Sequence, residues 1–253
     1  KTVKSDYKGY SNFIELYRLI HSSLDSDIKI SLKHSGIFEA NLAAILGAVI
    51  DSGIEQKKSI EYVEIPAPIR DLFNLNNFLK GTSPGLNAPH KGTVISYMKF
   101  TQYKDIEFMD YVRNEMLSKP DFPRHSKLLG KKINESIFEL FENARTHGNC
   151  NNIYTCGQII QESGISRLDF TIVDLGMTIK YNVNKYLKEN LSGSDAIEWA
   201  LKSGHTTKTG NVSGGLGLDI IFEFIKLNKG RIQIVSSDGF WEYFNNTIDK
   251  KLF

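Results

Sequence analysis

The sequence predicts a mixed α/β (α+β) chain built as two domains, 1–124 and 125–253. Three observations carry that expectation. Candidate strands and helices alternate through the first half, which suits a small α/β domain. All six prolines (Pro66, Pro68, Pro84, Pro89, Pro120 and Pro123) lie before residue 124, so the chain changes character near that point. Beyond them come long periodic elements broken by glycine rather than proline.

In the first half, Ile28 to Leu32 alternates apolar and polar side chains, as a half-buried strand does. Glu39 to Ile50 carries Leu42, Ile45, Leu46 and Val49 at helical spacing, with Gly53 just past its end. Ser59 to Ile65 is a second strand, stopped by Pro66. Ile69 to Leu79 is a helix, and 81–92 is a loop rich in Gly, Pro, Ser and Asn. Thr93 to Thr101 is a third strand, Asp105 to Leu117 a helix, and Ser118 to Arg124 the linker. The second half opens on a long helix, Ser126 to His147, whose apolar face is Ile133, Ile137, Leu140, Phe141 and Ala144. Gly148 ends it. Strands follow at Ile153 to Cys156 and Leu168 to Val173, then a helix from Asp195 to Ser203. Five glycines between Gly204 and Gly217 mark a mobile loop. Leu218 to Leu227 is a helix, followed by strands at Arg231 to Ser236 and Phe240 to Phe244.

Composition narrows the function classes. With 253 residues, 41% hydrophobic and 24% charged, the chain has enough apolar material for one large domain or two smaller ones. A net charge of +2 gives no electrostatic case for nucleic acid or an anionic membrane. No apolar run approaches the roughly 20 residues of a membrane span, and no charged-then-apolar signal peptide opens the chain. Cys150 and Cys156 do not make a metal quartet. They are expected to be two buried thiols of a cytoplasmic protein. Because the chain opens on Lys1 and stops at Phe253, the native protein is expected to run further.

Three stretches carry chemistry. Glu139 and Asn143 are four apart on the long helix, so their side chains are neighbours on one face. That face is not the apolar one. A carboxamide oxygen there can ligate a hard cation that also holds phosphates, and a carboxylate can take a proton from an attacking water. Asp174 stands at the end of an apolar strand, where a carboxylate can accept a hydrogen bond from an amino group such as that of adenine. Gly176, two residues on, lets the backbone come close to a flat ring. Ser213 to Leu218 runs through Gly214, Gly215, Leu216 and Gly217 straight into a helix, where free backbone amides and the helix dipole favour phosphate. Lys208, with Thr206 and Thr207, shares that loop. Each stretch alone has an ordinary reading: a solvated helix face, a turn, a flexible loop.

Their order and spacing together resemble the superfamily of gyrase, heat-shock chaperones, histidine kinases and MutL (GHKL, the Bergerat ATP-binding fold) over about residues 126 to 244. Glu139-Leu-Phe-Glu-Asn143-Ala is similar to its N box. Asp174-Leu-Gly176-Met-Thr-Ile is similar to its adenine box. Gly204-His-Thr-Thr-Lys208 with Gly214-Gly-Leu-Gly217-Leu is similar to its lid and last glycine box. The resemblance implies a two-layer α/β sandwich with a mixed sheet, binding ATP and Mg2+. It makes Glu139 the general base, Asn143 the magnesium ligand, and Asp174 and Gly176 the adenine site. Gly214, Gly215, Leu216 and Gly217 would hold the phosphates, with Thr207 and Lys208 as lid contacts.

Three features depart from the family pattern. Thr178 stands where its second glycine is usual, the closing Gly-Thr strand is missing, and no helical hairpin with a phospho-accepting histidine precedes the domain. His147 is expected as a helix C-cap or a wall of the nucleotide pocket. The first half, with Phe38-Glu-Ala-Asn-Leu-Ala-Ala-Ile-Leu-Gly-Ala, resembles a STAS-like regulatory domain, and the whole resembles bacterial STAS–ATPase fusions. Ser35 is the one serine to name as a phosphoacceptor, beside its plain reading as a turn serine. A slow ATPase switch acting on a protein partner or in a homodimer is therefore expected. The alternatives are an anti-sigma-type protein serine kinase and a non-catalytic nucleotide-binding module.

Overall fold

The computed structural model describes residues 2–79, 93–122, 125–162, 165–202, 204–205, 207 and 217–253. The architecture is mixed α/β, as the alternation of elements predicts. The chain divides into two compact units: residues 1–124 with 152–174, and residues 125–151 with 175–253.

The first unit contains β1 (Thr2–Val3), α1 (Tyr7–Ser22), β2 (Asp27–Ser31), β3 (Ile37–Phe38), a 3-10 turn (Ala40–Leu42), α2 (Ala43–Glu55), β4 (Ser59–Val63) and α3 (Ala67–Leu75). Then come β5 (Val94–Thr101), α4 (Asp105–Tyr111) with a π turn over Val112–Leu117, β6 (Asn152–Glu162) and β7 (Ile165–Asp174). Strands β1 and β3 pair in parallel, as do β2 and β4, while β5-β6-β7 form an antiparallel sheet.

The core of this unit is set by α2. It has almost no polar side, and Ala43, Ala44, Leu46, Gly47, Ala48, Val49 and Ile50 are all buried. A helix apolar on every side must be covered on every side, and α2 packs on α1, β4, β5, β6 and β7. Its small residues permit close approach: Gly47 lies directly under the ring of Tyr97. Edge-to-face aromatic pairs fill the remaining space, among them Phe38–Phe73 at 5.1 Å and Phe100–Phe108 at 5.4 Å.

Two differences from the sequence reading belong here. Residues 152–174, assigned by sequence to the second domain, group with the first unit because β6 pairs with β5, from Thr101 opposite Asn152 to Val94 opposite Gln158. Helix α1 was not expected. Asp6 caps it by accepting from the Gly9 N–H at 2.7 Å, and Tyr10, Phe13 and Ile20 form its buried stripe.

The second unit contains α5 (Lys127–Thr146), α6 (Ile179–Leu187), α7 (Gly193–Ala200), α8 (Gly217–Leu227) and strands β8 (Ile232–Ser236), β9 (Gly239–Phe244) and β10 (Thr247–Leu252). The strands make an antiparallel meander in the order β8-β9-β10. The β9–β10 hairpin turns on Asn245 and Asn246, both with positive φ (50° and 60°), the backbone a tight two-residue turn demands. Ile197, Trp241 and Tyr243 form the buried centre, with Ile179, Leu201, Phe222, Ile232 and Ile234 packed on it. Gly193 and Gly239 touch backbone to backbone, and Asp238 accepts from the Gly193 N–H at 3.1 Å, so α7 lies close on β9. Asp238 also holds Lys180 of α6, and that lysine keeps its carboxyl below the usual carboxylate range.

Both cysteines are free and buried. Burial pushes the Cys156 thiol up to about 12, so the reactive thiolate is scarce at neutral pH. Titration of the native protein with a thiol reagent at pH 8 is expected to find no fast-reacting cysteine, and two after unfolding. The Tyr62 hydroxyl is buried with no hydrogen-bond partner among the described residues. Tyr62→Phe is therefore expected to leave stability unchanged or raise it by about 1 kcal/mol, read as the denaturant midpoint.

Candidate functional site

Helix α5 carries the first candidate pair. Ser126 starts it, its hydroxyl accepting from the Leu129 N–H at 3.1 Å. Ile133, Ile137, Phe141 and Ala144 are buried, with Leu140 partly so, as the helical spacing predicts. On another face Glu139 is exposed and Asn143, one turn later, is half-buried. Neither side chain has a hydrogen-bond or ion-pair partner among the described residues. The helix ends at His147, its C-cap, and the N–H groups of His147 and Gly148 both donate to the Asn143 carbonyl, at 2.9 and 3.1 Å. Asn149 follows with φ of 50°, turning the chain away.

That helix end is where other segments of the second unit meet. The Met177 N–H donates to the Gly148 carbonyl at 2.5 Å. Gly176 lies so close to the Gly148 backbone that a Cβ there would collide with it. The sequence reading used Gly176 for close approach to a flat ring; the approach seen is to another backbone. Thr178 caps α6, accepting from the Tyr181 N–H at 3.1 Å. One turn into α6, the Asn182 carboxamide donates to the His147 carbonyl at 2.8 Å. The His147 ring meets the Thr207 hydroxyl, Nδ1 to Oγ1, at 3.1 Å.

Residues 147 and 148 thus gather Asn143, Gly176, Asn182 and Thr207. Glu139 sits two turns back along the same helix. Asp174 is the last residue of β7, paired opposite Ile153, and belongs to the first unit. Gly217 is the first residue of α8, which packs on α5. Lys208, Gly214, Gly215 and Leu216 lie outside the described residues, as does Thr206. Ser35 sits in the turn after β2, where its N–H closes onto the Leu32 carbonyl at 2.8 Å. Sequence reasoning missed Asn182. Its signal was the cap at Thr178, which places position 182 on the first turn above the α5 end.

The donors fit a hard cation in one respect. An uncommitted carboxamide oxygen at Asn143 suits Mg2+ held jointly with phosphates, since that ion keeps most of its ligands as water and phosphate oxygens. Among the described residues there is no cluster of three or more His, Cys, Asp or Glu that could hold a metal by itself. An open depression of about 390 Å³ lies beside α6, lined by Thr178, Lys180, Tyr181, Asn184, Lys185 and Ser237. Its cations are engaged, Lys180 by Asp238 and Lys185 over the Tyr181 ring.

Comparison with protein-family models, curated proteins and solved structures returned no match, so the resemblance to the ATP-binding superfamily rests on the residues of the three boxes.

The contact at 176 makes a direct prediction. Gly176→Ala places a methyl group against the Gly148 carbonyl, which cannot yield as a flexible side chain would. A loss of about 1–3 kcal/mol is expected, seen as a lower thermal midpoint, whereas Met177→Leu should change it little.

Proposed function

We propose that this chain is an ATP- and Mg2+-binding regulatory protein, a slow ATPase that works as a nucleotide-driven switch on a protein partner or a second copy of itself. One observation carries the reading. Asn182 and Thr207, 35 and 60 positions from His147 along the chain, reach it by hydrogen bonds, and Gly176 abuts Gly148. A helix face with an uncommitted carboxylate and carboxamide runs up to that meeting point.

In this reading Asn143 offers its carboxamide oxygen to Mg2+, and Mg2+ when bound would neutralise phosphate charge. Glu139, exposed and unpaired among the described residues, takes the proton of an attacking water. Asp174 accepts from the adenine amino group. The glycines Gly214, Gly215 and Gly217, with Leu216, supply backbone N–H groups to the phosphates at the head of α8. Thr207 and Lys208 contact the terminal phosphate. Glu139 distinguishes this reading from a site that only binds, because a base one turn before the magnesium ligand has no use without water to activate. Among the described residues no helix is long and apolar enough to cross a membrane. A cytoplasmic setting belongs to the proposal.

Two measurements test it. Phosphate release from ATP by the purified chain is expected to fall at least about 100-fold in Glu139→Ala, the usual scale for a lost general base, with ATP affinity kept. Equal release by wild type and variant would remove hydrolysis from the account, and transfer of label from ATP to a protein hydroxyl would redirect it to a serine kinase. Asp174→Asn is expected to weaken ATP binding measured by calorimetry about ten-fold or more, as loss of a hydrogen bond to a charged group does.

A further inference from the structure

We propose that His147 is a positioning residue that holds Thr207 at the C-terminal end of α5. The contact is specific in geometry. The His147 imidazole is fixed from its backbone side, where its N–H donates to Asn143 and its carbonyl accepts from Asn182 at 2.8 Å. With the main chain pinned at both ends, the ring has a defined place to stand, and its Nδ1 lies 3.1 Å from the Thr207 hydroxyl. The stretch leading to Thr207 is tethered a second time. His205 Nδ1 lies 3.0 Å from the Trp199 carbonyl, and the two rings pack at 4.5 Å between centroids. Gly204 has a φ of +76°, a left-handed conformation suited to glycine.

The consequence concerns order. A threonine hydroxyl that must meet a phosphate gains from being held before the ligand arrives, because the entropy of ordering it has already been spent. His147 supplies that order from the helix that carries Asn143. The assignment of phosphate as the group Thr207 meets rests on the nucleotide reading; the anchoring itself does not.

The test uses the full chain without nucleotide, by hydrogen–deuterium exchange at the backbone amides of His205 and Thr207. His147→Ala and Thr207→Val are each expected to speed exchange there about five-fold, the scale of one net hydrogen bond. The double variant should be no faster than either single one, since both remove the same contact. His147→Asn, whose amide reaches the place of Nδ1, and Thr207→Ser, which keeps the hydroxyl, should restore the wild-type rate. Calorimetry with Mg-ATP should show affinity about five-fold weaker in His147→Ala and recovered in His147→Asn. Exchange unchanged in both His147→Ala and Thr207→Val overturns the proposal, whether or not ATP binds. Exchange altered as stated in a wild-type protein that binds no ATP upholds the anchor and removes the nucleotide reading instead.

Discussion

The backbone contact between the end of α5 and the chain at 176–177 is the constraint on which the rest of the second unit's candidate site depends. The Gly148 carbonyl accepts from Met177, and Gly176 lies against the same peptide with no room for a side chain. A peptide group buried against another peptide group must be paired, and here the pairing is made. Once those strands of chain are joined, Thr178 is positioned to cap α6, and α6 brings Asn182 onto His147. The site is then a set of consequences: the helix end is fixed, so the ring of His147 is fixed, so Thr207 has a partner.

Much of this was legible in sequence, for identifiable reasons. Helix α5 was clear because Ile133, Ile137, Phe141 and Ala144 recur at helical spacing between a serine cap and a glycine stop. Strands β2, β4 and β5 were clear from alternation and from Pro66. Other elements were hidden by competing signals. Helix α6 was overlooked because Thr178 was judged as a departure from a glycine box and not as an N-cap, although its hydroxyl has that role. Helix α1 carries Gly9 and two serines, Ser11 and Ser22, poor helix formers, and is stabilised by Asp6 and by burial of Phe13 and Ile20. Strand β10 runs through Asp249, Lys250 and Lys251, a charged edge with little alternation. Lys250 holds Asp195 and Glu198 of α7 at 3.0 and 2.8 Å, a long-range pairing that no local pattern announces.

The partition of the chain teaches the same lesson. Composition suggests a boundary near residue 124, whereas the compact units are residues 1–124 with 152–174 and residues 125–151 with 175–253. Strands β6 and β7 nevertheless join the first unit, because strand pairing is decided by partners far away in sequence. Gln158 shows it in one side chain: it accepts from the Ala40 N–H at 3.0 Å and donates to Asp169 at 3.1 Å, tying the 3-10 turn before α2 to the sheet. The chemistry-bearing residues were legible as types and spacings. The meeting of Gly176, Asn182 and Thr207 at residues 147 and 148 was not, since it joins groups 28 to 60 positions apart and partly through backbone groups whose identity is the same at every position.

The central claim is that nucleotide binds where these segments meet. The most direct measurement is a titration of isotope-labelled protein with Mg-ATP, followed by the backbone amide resonances. The account predicts saturable shifts concentrated at Asn143, His147, Gly148, Gly176, Met177 and Thr207, and absent when Mg-ATP is replaced by inorganic phosphate at the same concentration. Shifts that leave these residues still while moving others, or no shifts at millimolar Mg-ATP, would contradict it.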